Sequence, residues 1–121
     1  MSVEAALQGI VIRRHFKALF VNQAYADIFG YTPEEILAMD STLQLFARCE
    51  HARLHAYHES RLQGESVPCQ YACQGVRKDG TLIWVWVEHL ARLGDWEGQL
   101  AGPGTLIDIT ARQRVEAVQK Q

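Results

Sequence analysis

The sequence predicts an α+β domain: one five-stranded antiparallel sheet with short helices laid over one face and a last helix leaving it. Three observations carry that expectation. Two short β-prone runs come first, several short helical segments follow, and three longer β-prone runs come after them, an order suited to a sheet with helices on one side. Asp79-Gly80 lies between two of the long runs, where it favours a tight hairpin. The helical segments are bounded by cap residues rather than carried by long apolar stripes. The chain has 121 residues, 48% of them hydrophobic and 21% charged, the length and balance of one compact domain.

Gly9 to Arg14, the polar turn His15 to Lys17 and the run Ala18 to Val21 make a first hairpin. Asn22 is placed to cap a short helix through Ala24, Tyr25, Ile28 and Phe29, which Gly30 ends. Thr32-Pro33-Glu34-Glu35 is a capping box with proline at the first helical position, and its helix runs to about Met39. After a loosely defined Ser41 to Phe46 segment, Arg48 to Leu62 has helical composition and ends at Gly64, a left-handed cap. Val67 to Arg77 and Thr81 to Leu93 form the hairpin around Asp79-Gly80. Gly94 to Gly98 reads as a turn, and Leu100 to Ile109 as a last strand interrupted at Gly102-Pro103-Gly104. Thr110 to Gln113 is a second capping box, opening a helix with Ala111, Val115 and Val118 on one stripe. Residues 1–110 are thus expected as a single domain and residues 111–121 as the start of the outgoing helix.

The 12 Lys and Arg against 14 Asp and Glu give a net charge of -2, so no broad cationic surface invites nucleic acid or anionic lipid. No apolar run approaches the roughly 20 residues that cross a bilayer, and the first residues do not read as a secretory signal. Three cysteines, Cys49, Cys69 and Cys73, lack CxxC spacing, which argues against a disulfide framework or a zinc site and for a reducing cytoplasm. Cys69 and Cys73 would sit about 13 Å apart on one strand face and read as buried small hydrophobes. Catalysis needs a nucleophile with its base, paired carboxylates or a phosphate loop. Glu34-Glu35 serves a helix start, Asp79-Gly80 a turn, and Gly102-Pro103-Gly104 lacks a phosphate loop's lysine and spacing, so no enzyme is expected.

Phe20 to Tyr31 (FVNQAYADIFGY), Thr32 to Leu37 (TPEEIL), Arg77-Lys78-Asp79-Gly80-Thr81 with Trp84, and Asp108-Ile109-Thr110 resemble the PAS sensor domain. The likeness covers roughly residues 5 to 112, with the motifs in the expected order. It implies a pocket between the sheet and the Arg48 to Leu62 helix. It also implies a sensory role: a small ligand, redox state, light or a partner is sensed. The change passes to an attached histidine kinase, diguanylate cyclase or transcription regulator. No such output domain lies in these residues, so the chain reads as a sensory unit, excised or complete.

Candidate site residues follow. Asp108 and Thr110 lie where the last strand meets the outgoing helix. Thr110 can satisfy a free amide there and Asp108 can pair with Arg112 or Arg114, coupling sheet to helix as a signal relay. The apolar stripe is either the first turn of a coiled-coil seam in a homodimer or a capped terminus. His51, His55 and His58 share one helix face. Haem-bound members of the family take their axial ligand from this helix, which makes His55 and His58 the haem candidates, against the plainer reading of core-edge histidines. Phe46-Ala47-Arg48-Cys49-Glu50-His51 departs from the cysteine motif of the flavin-binding members, so flavin photochemistry is not expected. Leu54, Tyr57, Trp84 and Trp86 are the candidate pocket residues. Trp84 and Trp86 share a strand face with Leu82, whereas Ile83, Val85, Val87 and His89 share the other. With both faces apolar, either the outer one docks a helix or a second protomer, or it reflects β-propensity alone.

Overall fold

The computed structural model describes residues 8–89, 94–96 and 99–111. Its strands are β1 (Gly9–Arg14), β2 (Lys17–Val21), β3 (Gln70–Val76), β4 (Leu82–His89), β5 (Gly94–Trp96) and β6 (Gln99–Asp108). Its helices are α1 (Gln23–Phe29), α2 (Pro33–Leu37) and α3 (His51–Leu62). Five strands make the antiparallel sheet in the order β2-β1-β6-β4-β3, and short β5 adds to β6. The expected α+β architecture is therefore present.

Local chemistry explains the helices. Asn22 accepts a bond at 2.9 Å from the Tyr25 amide and another at 2.9 Å from the Ile10 amide, so one side chain caps α1 and ties it to β1. Gly30 ends α1 in the left-handed conformation at φ 80°. The Thr32 hydroxyl and Glu35 carboxylate exchange bonds with each other's backbone amides at 3.1 and 2.9 Å, completing the box that starts α2. A side chain at Gly9 would put its Cβ 2.9 Å from the Tyr25 Cα, so only glycine lets α1 close on β1.

Several boundaries differ from expectation. β3 begins at Gln70 rather than Val67, after Pro68, which has no N–H to give a ladder. Cys69 consequently lies ahead of the strand and is exposed, while Cys73 is buried. Gly94 to Trp96, expected in a turn, pairs with Gln99 to Ala101, and β6 runs unbroken through Gly102-Pro103-Gly104 because β1 pairs with it there. A 3-10 turn at Thr42–Leu45 fills the loosely defined segment, and a second at Arg48–Glu50 delays α3 to His51. Thr110 and Ala111 are helical, but Arg112, Arg114, Val115 and Val118 lie outside the described residues.

The β1–β2 register slips between Ile12 and Arg13, skipping Leu19, and this bulge lets Ala18 and Val21 both face inward despite their odd spacing. The core under the sheet holds Tyr25, Phe29, Ile36, Leu45, Cys73 and Val85, all essentially without exposure. On β4, Ile83, Val85 and Val87 point into it, and the opposite face leaves Leu82 51% and Trp84 37% exposed.

Candidate functional site

The inner face of the sheet and α3 enclose a cavity of about 30 Å³. One water occupies about 10–15 Å³, so there is room for a few. Its walls are largely apolar, with Val11, Phe16, Phe46, Leu54, Val87 and Leu106, and its polar members include Arg13, Thr42, Tyr71 and His89.

Each polar group arrives by strand alternation. Gly9, Val11 and Arg13 occupy the inward positions of β1. The Arg13 guanidinium lies 5.1 Å from the centre of the Phe16 ring and donates to the His15 carbonyl at 2.6 Å. Burial holds its pKa below the usual arginine value, only partly offset by Tyr25 and Tyr71. Tyr71, inward on β3, has its hydroxyl 2.9 Å from His89 Nε2 at the end of β4. Burial pushes the phenol up to about 12, and burial, then Arg13, pushes His89 down to about 3. Both groups are therefore neutral at pH 7.

Of the expected pocket residues, Leu54 lines the cavity. Tyr57 stands one layer back, its ring 5.1 Å from that of Tyr71. Trp84 and Trp86 are corrected: they stand on the outer face of β4, because the alternation that buries Ile83, Val85 and Val87 turns both indoles away. Arg13 and Tyr71 were not among the expected site residues, although Arg13 shares its strand parity with the apolar Val11.

The three histidines of α3 diverge. His51 bonds the Phe46 carbonyl through Nε2 at 2.9 Å, and His55 is exposed, its ring stacked 6.0 Å from Phe16. His58 is buried at 6% exposure, its Nε2 2.9 Å from His15 Nδ1. That bond needs a lone pair on one ring, so the two cannot both be protonated while it lasts. Burial, then Arg13 and His15, bring His58 down to about 4. A haem does not fit this arrangement: the cavity is far too small, the exposed His55 is not among its lining residues, and the Nε2 of His58 is already engaged. Among the described residues no three His, Cys, Asp or Glu side chains group as a metal site, and no helix is long and apolar enough to cross a membrane. The Cys49 thiol is exposed, 3.8 Å from Gln74 Oε1.

At the far end of β6, Asp108 and Thr110 make a junction. Asp108 takes the Arg77 guanidinium at 3.1 Å and accepts from the Thr110 amide at 2.9 Å and hydroxyl at 2.5 Å. The Thr110 oxygen in turn accepts from the Trp84 amide at 3.0 Å, and the Ile109 amide donates to the Trp84 carbonyl at 2.8 Å. Asp108 thus takes the Thr110 amide, while Thr110, the expected cap, extends the β4 ladder with its side chain. Arg77 is the Asp108 partner among the described residues; Arg112 lies outside them.

A family model described as the PAS fold matches residues 18–102. The crystal structure of a PAS domain from a Desulfitobacterium hafniense protein superposes with a TM-score of 0.71 at 21% identity, covering 88% of this chain and 96% of that one. A sensory box histidine kinase/response regulator from Burkholderia thailandensis gives 0.72 at 20% identity, over 98% and 88%. The PAS domain of a LuxR-family transcriptional regulator from the same species, in complex with ethanol, gives 0.62 at 21% identity, over 90% and 98%. A comparison with curated proteins finds no match.

Proposed function

Because the chain belongs to the PAS fold family of regulatory sensor modules, we propose that it senses a small molecule in the cavity under its sheet. In this reading the change passes through the Asp108–Thr110 junction to an output domain of the histidine-kinase kind, and the chain performs no catalysis itself. The junction carries the reading. Trp84, which anchors Thr110, is three residues from the cavity residue Val87 on the same strand, about 10 Å at strand rise. A shift of β4 at the cavity therefore moves the first turn of the outgoing helix without crossing a flexible loop. Three unpaired cysteines accord with a reducing cytoplasm. Residues 1–110 act as the sensor in this reading, and residues 111–121 begin the signalling helix.

The test is a set of fusions of this domain to a histidine-kinase core, with linkers stepped through one heptad. Thr110→Val and Asp108→Asn should each bring kinase output to the level of the core alone, while Glu65→Gln should leave it at the parent level. Output unchanged by both junction variants in every fusion would discard the relay. The exposed Ile10, Phe20, Leu82 and Trp84 of the outer face support homodimerisation there. Trp84→Lys should then shift the sedimenting species from dimer to monomer, and an unshifted dimer would move the interface elsewhere.

A further inference from the structure

We propose that the cavity receives a small carboxylate, of the size of formate or acetate, with the Arg13 guanidinium as its counter-charge. This deepens the sensory reading above and rests on it for the purpose of binding. The binding itself stands on the geometry around Arg13. A guanidinium has five N–H donors. Among the described residues one of them is used, on the His15 carbonyl at 2.6 Å. The ion pairs among those residues join Arg53 to Glu50, Arg77 to Asp108 and Lys78 to Glu35, and none reaches Arg13. Among the described residues, those lining the cavity include no Asp or Glu.

Arg13 is half-buried beside these walls; a cation there with no opposite charge among the described residues is costly, and a ligand carrying that charge is bound with part of the cost already met by the fold. A carboxylate fits the planar fork with two parallel bonds. The volume selects its size, since about 30 Å³ takes the three or four heavy atoms of formate or acetate and not a long chain. The neighbouring groups favour the same sign. His15 and His58 come from the β1–β2 turn and α3, His89 from β4 and Arg61 from the end of α3; of these Arg61 is a fixed cation. Glu59, on α3, is the acidic group that acts on His58, and it is exposed. Tyr25 and Tyr71 hold no charge, because burial pushes both phenols up. Arg13 is a cause of the lowered pKa of both His58 and His89. An anion on Arg13 would screen that repulsion and raise both.

The experiment uses the 121-residue chain at pH 7 with sodium acetate, sodium chloride at matched ionic strength, and acetamide as the neutral isostere. Acetate should raise the unfolding temperature and shift the Arg13 Nε–H resonance, both saturably, with chloride and acetamide inert. The His89 titration should move upward under saturating acetate. Arg13→Met should abolish the acetate effect, and Arg13→Lys should weaken it. Equal effects of acetate and chloride on the parent chain would overturn the proposal whether or not the variants fold, and so would a full acetate response in a folded Arg13→Met. Either failure alongside fusions that still respond to Thr110→Val would remove the carboxylate and leave the sensory reading standing.

Discussion

Arg13 lines the cavity and Arg53 lies against Tyr71, which lines it too, and the fold treats their charges differently. Arg53, from α3, lies 5.3 Å from the Tyr71 ring and donates to the Ala72 carbonyl at 2.8 Å. It also meets the Glu50 carboxylate at 3.0 Å, and Glu50 in turn accepts the Gln74 amide at 2.7 Å. Burial alone would lower the Arg53 pKa, but Glu50 and its neighbours more than reverse this and the net direction is upward. Arg13 rests on an aromatic ring in the same manner, with a carbonyl and without a described carboxylate, and its pKa moves down. The first arginine fastens α3 to β3. The second ties no two elements together among the described residues, and it lines the cavity.

The largest test of this contrast is acid. In the unfolded chain His58 and His89 take up protons near 6.5, whereas in the fold burial and Arg13 delay uptake to about 4 and about 3. The unfolded state holds more protons throughout that window, so the stability they contribute is complete above pH 6.5 and is lost as pH falls toward 4 and then 3. The loss should reach on the order of a few kcal/mol. Urea midpoints measured from pH 7 to pH 5, above the range where ordinary carboxylates titrate, should fall in the parent and stay flat in His58→Gln/His89→Gln. A flat parent profile would mean that the two imidazoles do not carry the cost of burial.

Glu50→Ala comes next. It strands Arg53 and the Gln74 amide together, and with the Glu50 side chain only 13% exposed the loss should be about 2 kcal/mol. Denaturant unfolding reads it directly. A loss below about 0.5 kcal/mol would place this pair with surface ion pairs and blunt the contrast with Arg13.

How much of this was readable from the sequence depends on the range of the interaction. Asn22, Gly30, Thr32 and the Asp79-Gly80 turn are set by neighbours within a few residues, and each behaves as its local chemistry dictates. The faces of β4 were not readable, because Leu82 to Val87 is apolar at every position and alternation without contrast does not say which side is in. The partner of Thr110 was not readable either: a threonine before a helical run signals a cap, and nothing local announces a β4 amide 26 positions away. Arg13 was hidden differently. Its parity with Gly9 and Val11 marks it as inward, but a charge at a strand end reads as solvated until the cavity around it is seen.

Thr110→Val tests the junction at smaller cost. It removes the hydroxyl that accepts from the Trp84 amide and donates to Asp108, both near the surface, so the stability loss should be about 1 kcal/mol. Faster hydrogen exchange at the Trp84 amide, with Val85 and Val87 unchanged, would localise the effect to that bond. Uniform exchange along β4 would mean that the junction holds the strand rather than the helix.

The smallest expected change is the most telling. Arg13→Met keeps the length and the contact with Phe16 while removing a cation that has one described protein acceptor. Stability at pH 7 should therefore change by about 0 to 1 kcal/mol, in the direction of gain, opposite in sign to Glu50→Ala. His58 and His89 should titrate higher in the variant, yet still below 6.5, because burial is the first cause of their shift and Arg13 the second. Histidine ring resonances followed through an acid titration measure both. A destabilised Arg13→Met with unmoved histidines would give Arg13 a structural partner like that of Arg53, and the difference between the two arginines would vanish.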